Sequence, residues 1–349
     1  MKLVVSAKMG PGTFEAKFLP LSLVELVEEI VVVRKEPGPA IPKLRYHILP
    51  ALCRYPIVNA CVTPFILAAV AKKHKAGLLL AYHYTPHFYF VYVASLLSGL
   101  PYILGQTGLY IQSFYGTRIG KITLGHIIRK ALQLNVPGTS SRDFWNMRGF
   151  TNVQVLHSTI DTERFIPVTQ VKDIDFLYLG RLEIYKGVQH ILHAFRYVVD
   201  AHPDANLAIV GYGSYESELK KLVTSLGLSA NVDFLGFQAD TNAFYRRSKV
   251  FVMASETEGL PCSLMEAMSC ELLCISSLVG NIADILIDGV TGFGFESGDV
   301  ERLSLIMNQA YIGFDTYHGM RRKARRLIEQ EHSYHFAKRQ WDKVLVREE

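Results

Sequence analysis

Short apolar runs alternate with longer amphipathic segments along the whole chain. Residues 187–203 show the helical pattern, because Val188, Ile191 and Leu192 fall at i, i+3 and i+4. The apolar runs predict strands at 2–7, 28–33, 45–49, 77–82, 101–105, 133–137 and 153–156, and then at 175–179, 206–210, 231–235, 249–253, 273–276 and 293–295. Strands that alternate with helices indicate α/β domains, each with a doubly wound parallel sheet.

The length of the chain predicts two such domains. It has 349 residues, of which 49% are hydrophobic, and this is enough for two sizeable cores. A polar stretch at 158–173 is the natural linker. We therefore predict a first domain over 1–160, a second over 161–328, and a separate C-terminal helical segment over 329–349.

The cysteines and the apolar segments bear on the compartment. There are five cysteines, an odd number without a C-x-x-C pair, which favours a reducing compartment, and we predict a cytoplasmic protein. The apolar segments 57–71 and 88–104 fall short of the roughly 18 consecutive apolar residues of a membrane span. Pro64, Gly99 and Pro101 also interrupt them, so we predict buried helices that pack on a sheet.

The net charge of +5 and the sequence pI of about 8.8 suit an anionic substrate or an acidic membrane surface. Residues 116–132 mix Arg118, Lys121, Arg129 and Lys130 with apolar residues and offer a peripheral contact with an anionic membrane. Their apolar positions do not share one face, which favours an ordinary packed helix. The basic run 321–326 has no interleaved aromatic residues, so we predict no nucleic-acid binding.

The first candidate for chemistry is the turn after the predicted strand 175–179. This strand ends at Gly180 and a helix begins near Gly187, with Arg181 and Lys186 in the turn between them. The start of a helix carries partial positive charge, so cations there are unfavourable unless an anion offsets them. The pair therefore predicts a phosphate ligand. The alternative is that both side chains are ordinary loop cations that extend into solvent.

The second candidate is the stretch ETEGLPCSLMEAM, residues 256–268. Pro261 suits the start of a helix, whose free amides would form another anion site. Glu266 would then lie in the second turn and accept hydrogen bonds from a ribose diol, and Glu258 could face a sugar hydroxyl. The alternative is that Glu266 only complements the helix dipole and that Glu258 is solvated.

These motifs together resemble the retaining nucleotide-sugar glycosyltransferases of family four. The family has the GT-B fold, in which two Rossmann-like domains face each other across a cleft that holds the active site. Its donor domain typically has Gly-Arg, then Lys-Gly, then two glutamates separated by seven residues. Here these are Gly180-Arg181, Lys186-Gly187, and Glu258 with Glu266. The segments that begin at residues 209 and 231 look like the family's Gly-x-Gly segment and base-receiving loop.

The resemblance implies a role for each motif. Arg181 and Lys186 would bind the donor diphosphate, Glu266 the ribose and Glu258 the transferred sugar, with Arg181, Lys186 and Glu258 as the catalytic residues. The implied donor contacts are Gly12, Gly180, Arg181, Lys186, Gly211, Phe237, Glu258, Gly259, Leu260, Ser263, Leu264 and Glu266. Retention by internal return is implied, with no metal and with no cofactor besides the nucleoside-diphosphate sugar. The last helix is expected to cross back to the first domain.

The first half matches the family less tightly. Gly12 follows the first predicted strand, where the family has a glycine-rich loop. His83 and His87 stand at the carboxyl end of a strand and are possible donor or acceptor contacts, as is Gln106, which occupies a position where the family often has histidine. Glu271 stands where the family usually ends a helix with glycine, and a left-handed residue other than glycine costs roughly 1 kcal/mol.

The sequence thus predicts a metal-independent, retaining glycosyltransferase. It would move a hexose-type sugar from a nucleoside-diphosphate donor to a hydroxyl of a glycan or lipid-linked acceptor, in the cytoplasm or at the inner face of the membrane. Two alternatives stay open at this stage. One is a sugar phosphorylase or nucleotide-sugar epimerase with the same fold, and the other is a non-catalytic GT-B protein that binds nucleotide or glycan.

Overall fold

The computed structural model describes residues 1–346 as two compact units. The first unit contains Met1–Thr159 together with the chain from Tyr334 onward, and the second contains Ile160–Ser333. The predicted boundaries were residues 160 and 328. Residues 347–349, which end the predicted C-terminal segment, lie outside the described part of the chain.

The first unit is built on a parallel sheet of seven strands. They are Lys2–Ala7 (β1), Glu29–Arg34 (β2), Leu44–Ile48 (β3), Leu78–Tyr82 (β4), Tyr102–Gly105 (β5), Gln133–Val136 (β6) and Val153–Val155 (β7). Their order is β3-β2-β1-β4-β5-β6-β7. Val5 of β1 belongs to the core on one face and the adjacent Val4 to the core on the other, and both are fully buried, so this central strand is apolar on both faces.

Helices cover both faces of this sheet. They are Pro11–Ser22 (α1), Pro56–His74 (α2), Tyr89–Ser98 (α3), Tyr110–Gly116 (α4), Arg118–Lys130 (α5) and Thr139–Asn146 (α6). Leu67 of α2, Val91 of α3 and Ile128 of α5 share one core with the sheet. Phe14 and Phe18 of α1 belong to the core on the opposite face.

The second unit has a parallel sheet of six strands. They are Ile174–Leu179 (β8), Leu207–Val210 (β9), Val232–Gly236 (β10), Ser248–Met253 (β11), Leu273–Ser277 (β12) and Phe293–Phe295 (β13), in the order β10-β9-β8-β11-β12-β13. The thirteen predicted strands are therefore confirmed within residues 1–346, and their ends differ from the prediction by at most one residue.

The helices of the second unit are Val188–Ala201 (α7), Glu216–Ser225 (α8), Asn242–Arg247 (α9), Cys262–Ser269 (α10), Val300–Gly313 (α11) and His318–Glu331 (α12), and the last helix of the described chain is Tyr334–Leu345 (α13). Phe195 of α7 and Met307 of α11 belong to one core, and Leu264 of α10 and Ile328 of α12 to another. Helix α13 packs on α1 of the first unit, and Trp341 belongs to that unit's core.

The strand order decides where ligands can bind in each unit. In both sheets the order reverses beside the first strand, between β1 and β4 in the first unit and between β8 and β11 in the second. Ligands of such sheets bind outside the carboxyl ends of the strands at this switch point. The segments that follow β8 and β11 carry Arg181, Lys186 and Glu258, so the predicted site residues of the second unit lie at its switch point.

Three local predictions are refined by the structure. The segment 57–71 was predicted to be too short for a membrane span and to form a buried helix, and both predictions are wrong. It is part of α2, which within residues 1–346 is the one helix with the length and apolar character of a membrane span, and only 28% of its most apolar window is buried. It packs on the sheet by one face, while Ile57 on the other face is 79% exposed. Glu271 has a φ of 55°, so this helix end is strained. Gly12 lies in the first turn of α1, where a loop was expected.

Candidate active site

Lys186 and Glu258 form an ion pair at the switch point of the second unit. The Lys186 Nζ lies 2.5 Å from Oε1 of Glu258, and the side chains are only 16% and 10% exposed. Ser255 Oγ donates a hydrogen bond to the same oxygen at 2.9 Å. The structure thus brings together the cation predicted for a phosphate and the carboxylate predicted for a sugar.

Glycine allows the two loops that carry this pair to pack closely. Gly187, which follows Lys186, has a φ of 69°, and a Cβ there would lie 1.9 Å from the carbonyl oxygen of Ala254. The backbone N–H of Glu256 donates to the carbonyl of Tyr185 at 2.8 Å. A side chain at residue 187 would push the loops apart, so this glycine holds Lys186 close to Glu258.

Arg181 is exposed and lies on the same loop as Lys186. Its guanidinium donates to the Tyr185 hydroxyl at 2.6 Å, and the Tyr185 ring centroid is 5.8 Å from Arg181 Cζ and 5.6 Å from Lys186 Nζ. Tyr178 fixes the backbone of this loop, since its hydroxyl donates to the Arg181 carbonyl at 2.8 Å. Burial raises the pKa of Tyr178, so this hydroxyl keeps its proton. The Arg181 and Lys186 cations therefore both lie beside the Tyr185 ring.

A third loop, after β12, fixes the backbone of Glu258. Gly280 has a φ of 62°, and a Cβ there would lie 1.8 Å from the Glu258 carbonyl oxygen. The N–H of Asn281 donates to the carbonyl of Gly259 at 3.0 Å. Loops from three neighbouring strands thus position one carboxylate, as a preorganised binding group requires.

Glu266 lies in the second turn of α10, as predicted. Among the described residues the Tyr245 hydroxyl donates to its Oε2, at 2.8 Å, and also approaches the Ser263 carbonyl at 3.2 Å. Burial raises the pKa of Glu266, and the bond from Tyr245 opposes this only in part. A partly buried carboxylate that keeps unused acceptor capacity suits a diol, which can supply two donors.

We expect Glu266→Gln to stabilise the protein at neutral pH. The folded-state pKa of Glu266 is raised above its usual 4.5. The contribution of Glu266 to the free energy of unfolding is therefore fully present at pH values below the unfolded-state pKa. It is lost as the pH rises through the folded-state pKa. Glutamine has no charge to bury, yet its carbonyl oxygen still accepts from Tyr245. Urea unfolding from pH 5 to 8 should show a stability gain that grows with pH. A constant difference would contradict the burial of this charge.

Two exposed aromatic side chains follow β9 and β10. Tyr212 and Phe237 are 60% and 71% exposed, and their ring centroids lie 5.8 Å apart in an edge-on arrangement. Phe237 was predicted as part of the base-receiving loop. Gly211, at the end of β9, has a φ of 142°, and a Cβ there would overlap the carbonyl of Gly180. The loops after β8, β9 and β10 are thus in close contact, with aromatic surface beside them.

Some predicted donor contacts have no side chain available for a ligand. Leu260 is buried, and Leu264 is fully buried in the core. Ser263 is partly buried at the start of α10. Leu260 and Leu264 are therefore core residues, and only their backbone groups could contact a donor.

His87 lines a cavity at the carboxyl edge of the first sheet. The cavity has a volume of about 350 Å³, and Lys8, Arg34 and Lys35 are among its lining residues. Ser6 Oγ lies 2.8 Å from His87 Nδ1. Burial, and then the charges of His83 and Lys8, lower the pKa of His87 to about 3, so its ring is neutral. This cavity could receive a polar ligand between cations and a neutral imidazole.

The other predicted contacts of the first unit do not line the His87 cavity, although the His83 ring centroid lies 6.3 Å from that of His87. His83 has a φ of 73° and lines a separate cavity of about 210 Å³ with Tyr84 and Gln106. Gln106 is buried, and its amide donates to Ser141 at 3.3 Å and accepts from Trp145 at 2.9 Å. Both ends of the Gln106 amide thus bond to residues of the same unit, but Gln106 also lines this cavity, so its contact with a ligand stays a prediction. At Gly12 a Cβ would meet no atom within 4 Å.

Sequence reasoning missed three residues that support the site. They are Ser255, Tyr245 and Gly280, which contact Glu258, Glu266 and the Glu258 backbone. Ser255 stands directly after β11 and could have been found from that position. Tyr245 lies on a different helix from Glu266, and Gly280 follows a different strand from Glu258, so neither had a local signal.

The chain is similar in sequence to known glycosyltransferases. The family described as "Glycosyl transferases group 1" matches residues 159–327. An uncharacterised glycosyltransferase of Methanocaldococcus jannaschii is 37% identical over 29% of this chain and 25% of its own length. The N-acetyl-alpha-D-glucosaminyl L-malate synthase of Bacillus anthracis is 26% identical over 67% of this chain and 65% of its own length. The chain thus spans between a quarter and about two thirds of these relatives.

The solved structures include a similar protein, Anabaena HepE in complex with UDP. It superposes with a TM-score of 0.83 over 99% of both chains, at 17% sequence identity. A likeness at this identity bears on the fold alone. The predicted fold class, GT-B with two Rossmann-like domains, is confirmed.

Proposed function

We propose that the protein is a retaining, metal-independent glycosyltransferase, and the match of residues 159–327 to the family described as "Glycosyl transferases group 1" supports this. It moves a sugar from a nucleoside-diphosphate sugar to a hydroxyl of a glycan or lipid-linked acceptor. The observation that carries the proposal is the Lys186–Glu258 pair at the switch point of the second sheet, with Arg181 on the same loop. In this proposal Lys186 and Arg181 bind the diphosphate of the donor, and Glu258 binds its sugar.

The cations stabilise the leaving group. When the bond between the anomeric carbon and the diphosphate oxygen breaks, its electron pair goes to the diphosphate. Lys186 and Arg181 neutralise the charge that develops there, as preorganised donors do in other transfer reactions. The start of α10 adds unsatisfied backbone N–H groups to this environment. No residue in this step requires a metal ion.

Retention follows from the face on which the acceptor attacks. The acceptor oxygen forms its bond to the anomeric carbon on the side that the diphosphate leaves. The acceptor proton passes to a diphosphate oxygen, so atoms and charge balance without a protein base. Glu258 orients the sugar through its hydroxyls, and Lys186 beside it contacts the diphosphate. Catalysis is then mainly positioning and charge stabilisation.

The remaining donor contacts are assigned by their chemistry. Glu266 accepts hydrogen bonds from the ribose diol, and Tyr245 holds its carboxylate in place. Tyr212 and Phe237 offer aromatic surface to the base. For the acceptor we propose the first unit, whose His87 cavity lies at the carboxyl edge of its sheet. The odd number of cysteines, without a C-x-x-C pair, supports a cytoplasmic location.

A panel of UDP-, GDP- and ADP-sugars tests the proposal by thermal shift and by turnover. A donor at about 100 times its Kd stabilises the fold by roughly 2.7 kcal/mol, which raises the Tm by several degrees. We expect one nucleotide to stabilise the wild type but neither Lys186→Ala nor Glu266→Ala. Transfer to acceptor should continue in EDTA, and NMR of the product should show the donor's anomeric configuration.

Other outcomes decide between this proposal and its alternatives. Donor binding without turnover on any acceptor would favour a non-catalytic binding protein, and activity that requires inorganic phosphate would favour a phosphorylase. A product with inverted configuration, or activity that EDTA abolishes, would contradict the mechanism. No shift with any nucleotide in a folded protein would contradict the donor site itself.

A further inference from the structure

Positive charge in the first unit is concentrated in one long segment. Residues 37–142 contain eleven lysines and arginines and no aspartate or glutamate. A folded surface normally mixes both signs of charge. A segment of this length without a carboxylate therefore gives part of the first unit a one-sided electrostatic potential, which attracts an anionic partner.

Three helices of this segment lie side by side on one face of the sheet. Helices α2 and α3 pack closely together. The Tyr89 hydroxyl of α3 lies 2.9 Å from Thr123 Oγ1 of α5, and the Tyr92 hydroxyl lies 2.9 Å from His126 Nε2. We refer to the outward side of α2, α3 and α5 as the helical face. It is continuous because α3 contacts both of the other helices.

The helical face exposes large apolar side chains. Ile57 on α2, Leu96 on α3 and Ile119 on α5 are 79%, 69% and 68% exposed. The full set on these helices is Ile57, Val62, Phe65, Val93, Leu96, Leu97, Ile119 and Ile122. Single exposed apolar residues are common, but a group on adjacent helices marks an interaction site.

Cations without a carboxylate partner among the described residues lie on the same helices. They are Lys72, Lys73 and Lys75 at the end of α2, and Arg118, Lys121, Arg129 and Lys130 on α5. Within residues 1–346 no carboxylate forms an ion pair with any of these seven cations. A surface that combines exposed aliphatic groups with uncompensated lysines and arginines is the pattern of a protein that lies on an anionic bilayer.

A surface cavity between α2 and α3 also combines apolar and positively charged residues. Its volume is about 480 Å³, and it is lined mainly by Ala68, Ala69, Ala71, Ala76, Leu97 and Leu100. Lys72 and Lys75 also line it. An apolar space beside two ammonium groups matches a lipid that has an acyl chain and an anionic headgroup.

We propose that the helical face docks on an anionic membrane. A second copy of the chain is a poorer partner, because a two-fold interface through this face would bring like charges together. Nucleic acid would pair with the cations but would leave the exposed aliphatic groups without a role, since such interfaces are polar. An anionic bilayer can contact both the cations and the exposed aliphatic groups. The inference goes beyond the proposed function, because binding to vesicles requires neither donor nor acceptor.

Vesicle sedimentation with the full chain tests the proposal. We compare vesicles of phosphatidylcholine with vesicles of phosphatidylcholine and phosphatidylglycerol. The wild type should bind the anionic vesicles and not the neutral ones. The triple variant Lys72→Gln/Lys73→Gln/Lys121→Gln should bind about a hundredfold more weakly, because each cation near an anionic surface contributes several-fold.

A matched variant separates the helical face from net charge. Arg322→Gln/Lys323→Gln/Arg326→Gln removes three exposed charges from α12 of the second unit. Its vesicle affinity should stay within about twofold of the wild type. Equal losses in both triple variants would overturn the proposal, since the effect would then be one of total charge. A wild type that does not bind anionic vesicles would overturn it as well.

A second pair of substitutions tests the apolar contribution. Leu96→Ser/Ile119→Ser keeps every cation and should still weaken binding to anionic vesicles about tenfold or more. Unchanged binding, or equally strong binding of the wild type to duplex DNA, would indicate a purely electrostatic surface and contradict the docking. A cooperative thermal unfolding transition without ligand checks that each variant is folded. Neither this check nor vesicle binding uses a nucleotide sugar, so the outcome is distinct from a failure of the proposed function.

Discussion

Replacing Lys186 with methionine is expected to slow sugar transfer about 10²- to 10³-fold, the effect of removing one preorganised group that stabilises developing charge. Methionine has a similar length, so the loop can keep its packing, but the cation that opposes the leaving diphosphate is gone. The remaining Glu258 carboxylate, only 10% exposed, would then face the diphosphate with no neutralising partner. Single-turnover rates at saturating donor measure the loss in the chemical step.

The same substitution should also destabilise the second unit. Removing one partner of a buried ion pair costs about 3–5 kcal/mol, and here we expect roughly 2–4 kcal/mol because both side chains keep some exposure. Combining Lys186→Met with Glu258→Gln removes the uncompensated charge and should restore most of the stability without restoring transfer. Recovery of stability without activity distinguishes a catalytic role of the cation from a structural one.

A second lysine in the same unit provides the control. Lys249 lies at the start of β11, at the opposite edge of the sheet from the site, and its Nζ is 2.8 Å from Oδ1 of Asp175. Lys249→Met removes an ion pair of similar geometry, so transfer should stay within about twofold. If Lys186→Met slowed transfer no more than Lys249→Met, the assignment of Lys186 to the diphosphate would be wrong.

The second large effect is expected from Gly211→Ala. The backbone at this residue has a φ of 142°, and the new Cβ would lie 1.8 Å from the carbonyl oxygen of Gly180. Neither partner in this contact is a flexible side chain, so backbone must shift. We expect the free energy of unfolding to fall by at least about 3 kcal/mol, which lowers the Tm of a unit of this size by roughly 6–12 °C.

Gly227→Ala isolates the steric part of this effect. Gly227 has a φ of 67°, but the nearest atom to a Cβ there is a side-chain nitrogen of Arg196 at 3.7 Å. Alanine should therefore cost only about 1 kcal/mol, from the left-handed backbone alone. Chemical denaturation of both variants measures the difference. Equal costs would mean that the contact with Gly180 relaxes freely. Because Arg181 follows Gly180, donor affinity should also fall in Gly211→Ala.

Much of the fold could be predicted because parallel strands have a strong sequence signal. Strands buried on both faces, such as β1, β4 and β12, are short, continuous apolar runs, and this pattern identified most of the strands within residues 1–346. Helix α2 shows the limit of the same reasoning. Its composition predicted a buried helix, but apolar composition does not specify which side faces the core, and Ile57 and Phe65 are exposed.

The individual residues of the site could be predicted from the sequence, but the contacts between them could not. Lys186 and Glu258 were each identified from the elements that precede them, but they are 72 positions apart in the chain, and their direct contact depends on β8 and β11 being neighbours. Leu264 and Gln106 show what sequence position does not specify about a side chain. Each stands near a predicted ligand site in the sequence, yet their side chains are buried or bonded within the unit.

By itself the sequence determined the class of fold, the strands and the loops that carry the candidate chemistry, because local hydrophobic patterns and turn residues specify these directly. Only the tertiary structure decided which of those residues meet. The Lys186–Glu258 pair, the Tyr245 bond to Glu266 and the close approaches at Gly187, Gly211 and Gly280 all join segments that are distant in the chain. Such contacts depend on strand order and loop packing. The sequence of a single helix, strand or loop does not specify either of these.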